Sequence, residues 1–516
     1  MKKNSALKIT GFCAVFLLFL ASCENDQSLK DTDTVSGIFL KMKREIPVMD
    51  FYALADGAMI DKFSTAAPGT ALSSVFISGL QADEKILSID FRPATGQLYG
   101  LGSTSRLYVI NTESGVARAI GTGPFTPALS GNIAGFDFNP TVDRIRVVTS
   151  SGQNLRLNPE TGTVAATDGT VNGPDEVMVA AVAYANNTAG AATTTLYDID
   201  LTTQKLYKQM PPNNGSLVAV GDLGLKIEGE GGFDISYHQD VALGLFEVNK
   251  KSTLFSIDLN TGNAVILAKY TKNVKYTGIA IPTRPVAYAV TALNTLLIFN
   301  PNDPSIVVTK AITGLSSGET VMGIDFRPLN GQLYALGSTS RLYTINASSG
   351  LATAVGSSLF STALSGTDFG FDFNPFADRV RIISNTGQNL RVNPATGAVT
   401  VDGALNPLTT GISAAAYTNN FAGTLATMLL DIDVNTDKLY QQNPPNSGTL
   451  VEIGNLGVNA DAATGFDIGG ATGTAYAILT SGGATNLYEI NTTSGAASVK
   501  GSFTLPVTGF TIGLGF

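Results

Sequence analysis

Histidine, cysteine, tryptophan and charge are all scarce in this chain. Of 516 residues one is His, two are Cys, none is Trp, and only 14% are charged. Histidine is the commonest general acid or base and a frequent metal ligand, so a lone His238 excludes zinc sites built on paired imidazoles. In its context SYHQD it reads as a surface turn residue. The cysteines are Cys13, inside the N-terminal apolar run, and Cys23. Once that run is removed no pair is left for a disulfide, so stability rests on the core and on sheet pairing. Basic residues number 32 against 41 acidic ones and form no stripe. Nucleic acid is thereby excluded as a partner, because neutralising phosphates takes clustered Lys and Arg.

The apolar run, ITGFCAVFLLFLAS at 9–22, is too short for a membrane-spanning helix of roughly 20 residues. It follows the basic start MKKNSALK and leads through Leu20, Ala21 and Ser22 to Cys23. A charged n-region, a short h-region and a cleavage site describe a secretory signal, and the last four residues resemble a bacterial lipobox. The expectation is a lipoprotein signal peptide over 1–22, lipidation of Cys23, and a flexible tether over 23–45 whose start, ENDQSLKDTDT at 24–34, is polar and aperiodic. Loss of Lys2, Lys3 and Lys8 leaves 29 basic against 41 acidic residues, a net charge of −12. The protein is expected in the cell envelope, exported and held at the outer membrane through Cys23.

What the chain has in plenty is glycine, 55 residues, and repetition. LGSTSRLY occurs at 101–108 and 336–343, FDFNP at 136–140 and 371–375, and GQNLR at 152–156 and 387–391, all offset by 235 residues. The chain is a tandem duplication. Inside each copy a strand such as AGFDFNP or MGIDFRP is followed by a second such as QLYGLG. A hairpin with a Gly-containing loop then follows, as in LYVINTESG leading to VARAIG. Four antiparallel strands recur about every 47 residues, the length of a β-propeller blade, and five such units fit each copy. The expected fold is all-β, a β-propeller of ten four-stranded antiparallel blades, with a first repeat unit over 46–283 and a second over 284–516.

Two closures are open. The first blade lacks an inner strand, and the C-terminal VTGFTIGLGF (507–516) matches VKYTGIAIP (274–282). Either 507–516 closes one continuous ten-bladed ring, or 274–282 and 507–516 close two five-bladed rings. The two-residue join of Thr283 and Arg284 leaves little reach between separate discs, whereas Gly and Ala in the inner strands suit a small, crowded ring. The reading leans to one continuous ring, with the C-terminus supplying the missing strand of the first blade.

The single histidine also excludes a Ser/His/Asp triad present in both copies. The most distinctive polar cluster is FNPTVDRIRVVTSSGQNLRLNPETG (138–162), repeated as FNPFADRVRIISNTGQNLRVNPATG (373–397). Strand alternation puts Arg144 and Arg146 on one side, and Asn154 and Arg156 follow one hairpin later. With Asp137 they form a candidate clamp for a carboxylate or sulfate ligand. The second copy offers Asp372, Arg379, Arg381, Asn389 and Arg391. The competing expectation is that Asp137 and Arg146 pair for structural reasons.

Asp90, Asp137, Asp234, Asp325, Asp372 and Asp467 recur at one position of the inner strands. A ring of carboxylates suits a cation or a glycosidase, yet equivalence across blades speaks for structure. No metal site and no cofactor are expected, and catalytic residues stay unassigned. The Asp pairs in LYDID (196–200) and LLDID (429–433) lack the spacing of a calcium loop and read as turn residues.

With FNP, DRxR and GQNLRxNPxTG each present twice, the chain resembles the bacterial family known as domain of unknown function 4394, found in secreted proteins and lipoproteins and grouped with β-propellers. The resemblance covers about 46–516. It implies the fold and, with the lipobox, an envelope lipoprotein of Bacteroidetes type; it implies no activity or substrate. The expected function is a non-enzymatic binding or interaction module. Its polar loops, among them 121–134, 150–154 and 385–389, would face a glycan, peptide or envelope protein. The alternatives are a glycan-directed hydrolase or lyase using channel carboxylates, and a structural envelope component.

Overall fold

The computed structural model describes residues 46–516 except 174–175, 271–273, 409–410 and 504. The expected signal peptide, Cys23 and the tether lie outside the described residues. Among the described residues, forty strands pair into ten four-stranded antiparallel sheets, and the only helical pieces are the 3-10 turns Pro212–Asn214 and Pro445–Ser447. The ten blades read from the repeat are all present. No helix among these residues is long and apolar enough to cross a membrane.

The repeated phrases are turn chemistry. In NTESG, the Asn111 Oδ1 accepts the N–H of Glu113 at 3.0 Å and of Ser114 at 2.8 Å, and Gly115 then turns the chain at φ 72°. An Asx turn followed by a left-handed residue reverses a strand in this way. In LGSTSRLY, the turn wraps a buried carboxylate: Glu84 accepts the Thr104 N–H at 3.2 Å and hydroxyl at 2.6 Å, and the Tyr108 hydroxyl at 2.5 Å. Burial and the Glu84 charge push the Tyr108 phenol up to about 12. The second copy repeats the arrangement with Glu319, Thr339 and Tyr343. Gly102 is required there, because a Cβ would meet Glu84 Oε1 at 2.2 Å.

Blades stack face to face, so most strand residues of both parities are buried and the core lies in layers between blades. In one layer Tyr99, Leu101 and Leu107 of the second blade meet Phe136, Phe138, Ile145 and Val147 of the third.

The ring count corrects the leaning toward a continuous ring. Tyr276–Ala280 pairs with Asp50–Ala55 and completes the first blade from within the first copy. Gly509–Ile512 pairs with Ala287–Val290 and completes the sixth. The C-terminal strand therefore never reaches the first blade. Inner strands touch in two circles of five. The first consists of Ile86–Phe91, Ala134–Asn139, Val179–Tyr184, Glu228–Ile235 and Tyr276–Ala280. The second consists of Val321–Arg327, Phe369–Asn374, Ile412–Tyr417, Ala462–Ile468 and Gly509–Ile512.

Crowding at the axis is the physical reason for small rings. A Cβ at Gly232 would lie 2.3 Å from the Ile279 nitrogen, and one at Gly465 would lie 2.4 Å from the Phe510 Cβ. Glycine in a strand interior marks such a close backbone approach. Reach does not oppose two rings, because they abut. The Tyr288 hydroxyl donates to the Ala94 carbonyl at 3.0 Å, and the Gly515 N–H donates to the Thr95 carbonyl at 2.7 Å.

Candidate functional site

Each ring carries three aspartates on its axis. They sit at one position of three inner strands, and the other two strands place Ala183 and Ala280 there in the first ring, Ala416 and Thr511 in the second. In Asp90, Asp137 and Asp234, and again in Asp325, Asp372 and Asp467, one carboxylate oxygen from each residue lies within 4.8 Å of the others. All six are 1% exposed.

The carboxylates latch neighbouring blades. Asp90 accepts the Phe138 N–H at 2.7 Å, Asp137 the Tyr184 N–H at 2.9 Å, and Asp234 the Ile281 N–H at 2.5 Å. The second ring matches with Phe373, Tyr417 and Ile512 as donors to Asp325, Asp372 and Asp467. Thus the recurrent aspartates have the structural role expected of an equivalent position, and they also converge on the axis, as the expected ring of carboxylates implied, in two groups of three rather than one ring of six.

Burial and mutual repulsion shape their protonation. Burial pushes Asp234 up to about 7 and Asp467 up to about 6. Burial, then the charges of their neighbours, holds Asp90, Asp137, Asp325 and Asp372 well above the usual range. In the second ring the Thr511 Oγ1 lies 2.7 Å from Asp467 Oδ2 and 2.9 Å from Asp325 Oδ1. A hydroxyl donates one hydrogen, so Thr511 satisfies one of the two carboxyls at a time, and Asp467 Oδ2 also accepts the Ile512 N–H. Ala280 leaves the first ring without this link.

The arginine cluster turns inward. Arg146, 1% exposed, donates to Asp168 Oδ2 at 2.6 Å, Asn154 Oδ1 at 2.8 Å, Asn213 Oδ1 at 2.7 Å and the Tyr184 hydroxyl at 3.3 Å. Arg156 grips Asp168 with two bonds at 2.8 and 2.9 Å. Arg381, Arg391, Asn389, Asp402 and Asn446 repeat the network. This corrects the expected Asp137–Arg146 pair: the two face each other in strand register, but the guanidinium is drawn to Asp168, just past the end of the outer strand, and the carboxylate to the next blade. The network ties the third blade to the Pro212–Asn214 turn of the fourth, through Asn154 to the Pro212 carbonyl at 3.1 Å. Arg144 and Arg379 each fold back onto the preceding carbonyl, at 2.7 and 2.8 Å.

His238 is exposed in a turn beside Tyr237, ring centroids 4.0 Å apart. Of the LYDID aspartates, Asp200 is the last residue of its strand and holds the turn that follows, accepting from the Thr203 N–H and hydroxyl. Asp198 does not. It and Asp431 lie buried within strands, with neither oxygen hydrogen-bonded, and burial holds both well above the usual range.

What sequence reasoning missed is the mouth of the first ring. At the strand-start end of its axis a cavity of about 190 Å³ is lined by Asp56, Lys85, Glu230 and Lys275 together with Ile86, Leu87, Ile133 and Thr277. Lys275 pairs with Glu230 at 2.8 Å, while Lys85 and Asp56 are exposed and have no ion pair among the described residues. Strand register aligns these four with Ala292, Thr320, Ala463 and Pro506 in the second copy, none of them charged. The second channel, where Phe369 replaces Ala134, holds a void of about 10 Å³, at or below the size that admits one water. Charge and space both break the repeat in the same place. Comparing the two copies for lost charge would have been the signal.

Fold and site together define a class: a tandem pair of five-bladed β-propellers, each with a three-carboxylate axis, one of them open at its mouth. The chain belongs to the family described as domain of unknown function (DUF4394), whose profile matches residues 59–280 and 295–511, one stretch per ring. No curated protein matches it. Among solved structures it is similar to the extracellular domain of a one-component system from B. thetaiotaomicron, at 11% identity and TM-score 0.26, covering 88% of this chain and 66% of that one. It is also similar to PorZ, an essential surface component of the type-IX secretion system of Porphyromonas gingivalis, at 12% identity and TM-score 0.25, covering 89% of this chain and 58% of that one. A third is the Dos1 propeller, at 12% identity and TM-score 0.25, covering 63% and 82%. The chain thus spans less than two thirds of the first two.

Proposed function

We propose that the protein is a non-enzymatic binding module of the cell envelope, lipid-anchored through Cys23 at the outer membrane, whose ligand enters the mouth of the first ring. One observation carries this reading. Two rings of common descent differ in that one keeps an open cavity ringed by Asp56, Lys85, Glu230 and Lys275 while the other is filled and uncharged. Scaffold residues recur in both copies; a ligand site is free to exist in one.

Two lysines and two carboxylates around a small cavity suit a polar end group, such as a peptide terminus or a single sugar, presented by an envelope protein or polymer. The arginines of the 138–162 segment and their copies tie neighbouring blades together, and a clamp role for Arg144, Arg156, Arg379 and Arg391 would be a second site apart from the mouth, because Arg144 stands opposite Asn139 at the far end of the strand that begins at Ala134. Non-enzymatic binding is favoured over hydrolysis because Asp137 and Asp372 are 1% exposed and accept backbone N–H groups of the next blade. The test is capture by the mature chain from glycan arrays, peptide libraries and envelope extracts. A retained ligand competing at the first mouth is expected. Turnover of a glycan with no retained ligand would overturn the reading.

A further inference from the structure

We propose that a cavity between the fourth and fifth blades, at the end of the first ring opposite its mouth, is a binding site for a neutral saccharide. The proposal does not rest on what the mouth binds.

Two connections that leave inner strands build the site. One, 185–195, follows Val179–Tyr184, and the other, 236–241, follows Glu228–Ile235. Between them lies a cavity of about 300 Å³, a volume that suits a small ligand. Asn186, Thr188 and Thr193 face it from one side, Tyr237, Gln239 and Asp240 from the other.

Both walls are fixed in advance. The Thr194 hydroxyl donates to the Ala185 carbonyl at 2.6 Å, and Asn186 Nδ2 donates to the Thr193 carbonyl at 3.1 Å. Gly190 is pinned against the second ring, where a Cβ would lie 2.8 Å from Ile298 Cδ1. The Asn186 N–H donates to Asp240 Oδ1 at 2.9 Å and joins the two walls. Gln239 and Asp240 turn the shorter connection with φ 52° and 51°. Such turns favour Gly, Asn and Asp, and a Gln held there is a backbone cost of the kind that persists at ligand sites. Walls set in place spare a ligand the cost of ordering them.

Chemistry selects the ligand. Tyr237 is half-buried beside His238, ring centroids 4.0 Å apart. An aromatic face is electronegative and attracts the C–H face of a pyranose ring. Around it stand two amides, two hydroxyls and one carboxylate, a set that donates and accepts as sugar hydroxyls do. None of the lining residues is Lys or Arg, so an anion would meet Asp240 without compensation. One carboxylate is a poor cage for a hard cation. An apolar ligand would bury the amides and hydroxyls away from water.

The second ring keeps the frame and changes the lining. Asn419 donates to the Ala426 carbonyl at 2.8 Å and Thr427 to the Thr418 carbonyl at 2.6 Å, as their copies do in the first ring. Yet Phe421 and Leu425 stand where the first copy has Thr188 and Ala192, and Gly470, Thr472 and Gly473 where it has Tyr237, Gln239 and Asp240. Residues 514–516 pack on that turn. A Cβ at Gly470 would lie 2.6 Å from the Leu514 carbonyl oxygen, and the Ala471 N–H donates to the Phe516 carbonyl at 3.1 Å. A lining that differs on a retained frame marks a ligand site, because the fold itself does not require it.

The experiment uses the one histidine of the chain. In the mature full-length protein, labelled at histidine and held at constant pH, the His238 imidazole signals are followed by NMR during titration with glucose, galactose, mannose and N-acetylglucosamine. At least one sugar is expected to shift them saturably and to receive saturation transfer at its C–H face. Tyr237→Ala should weaken that binding about tenfold. Asp240→Asn keeps an oxygen for the Asn186 N–H and tolerates the left-handed turn; it should weaken binding with the unfolding midpoint preserved. A panel in which no sugar moves His238 at tens of millimolar overturns the proposal, as does a shift that survives both substitutions undiminished. Should Tyr237→Ala fail to fold, undiminished binding by Asp240→Asn overturns it alone.

Discussion

Arg92 grips Asp143 in a two-pronged ion pair, Nε to Oδ1 at 2.9 Å and Nη2 to Oδ2 at 2.5 Å, with both side chains 1% exposed. Arg92 also reaches Glu160 and donates to the Gly331 carbonyl of the other ring at 3.0 Å. The copies, Arg327 and Asp378, form the same fork at 2.7 and 2.5 Å but are 15% and 31% exposed. One motif thus serves two environments, and the seam between the rings makes the difference. Removing one partner of a buried pair strands the other charge, so Arg92→Met should cost about 3–5 kcal/mol. Arg327→Met, at a partly solvated pair, should cost about 1 kcal/mol or less. Urea unfolding of the full chain checks this, and equal losses would contradict the seam.

Thr511 joins Asp467 and Asp325 in the second ring, and its removal leaves buried oxygens short of a donor. Thr511→Ala should lower stability by about 1–3 kcal/mol, measured by the same unfolding experiment. An unchanged midpoint would mean that neither carboxyl depends on the hydroxyl.

Asp168 and Asp402 set an acid limit. Burial pushes these carboxyls up, but hydrogen bonds from Arg156 and Arg146, and from Arg391 and Arg381, outweigh it and hold both below their ordinary value of 3.8. A carboxyl with a depressed folded pKa binds fewer protons folded than unfolded. Its contribution to stability is therefore full above the ordinary value and drains as pH falls through the depressed one. Arg156→Met and Arg391→Met, each sparing the buried arginine beside it, should shift acid unfolding to higher pH. A profile identical to that of the unaltered chain would contradict the assignment.

Much of the fold was legible in the sequence. The 235-residue offset, the Asn-x-x-x-Gly turns and the match of 274–282 with 507–516 all correspond to structure. Ring count was misread because connector length was weighed above glycine, although Gly232 and Gly465 sit where two backbones nearly touch. The Arg146 partner was misread because strand register pairs Cα atoms, while a long guanidinium reaches Asp168 on the far side of a hairpin. The mouth escaped because its four charges, Asp56, Lys85, Glu230 and Lys275, come from four segments far apart in the chain, and only ring closure brings them together. Convergence of the aspartates on a channel was legible from their recurrence; their division into two groups of three followed only from the ring count.

Anchoring is tested by fractionation. Cys23→Ser should move the protein from the membrane pellet to the soluble extracytoplasmic fraction, since stable attachment then loses its lipid. Unchanged membrane association would contradict the lipobox reading.

The central claim is that two rings of common origin share a scaffold and that only the first offers its mouth to a ligand. The most direct measurement compares ligand retention by the unaltered chain with that of a variant carrying Asp56→Asn, Lys85→Thr, Glu230→Ala and Lys275→Ala. Asn suits position 56, where φ is 50° and a β-branched residue would be strained. The account predicts at least a tenfold loss of binding with the unfolding midpoint preserved, because all four side chains lie at a rim and not in a blade core. Retention equal to that of the unaltered chain would contradict it.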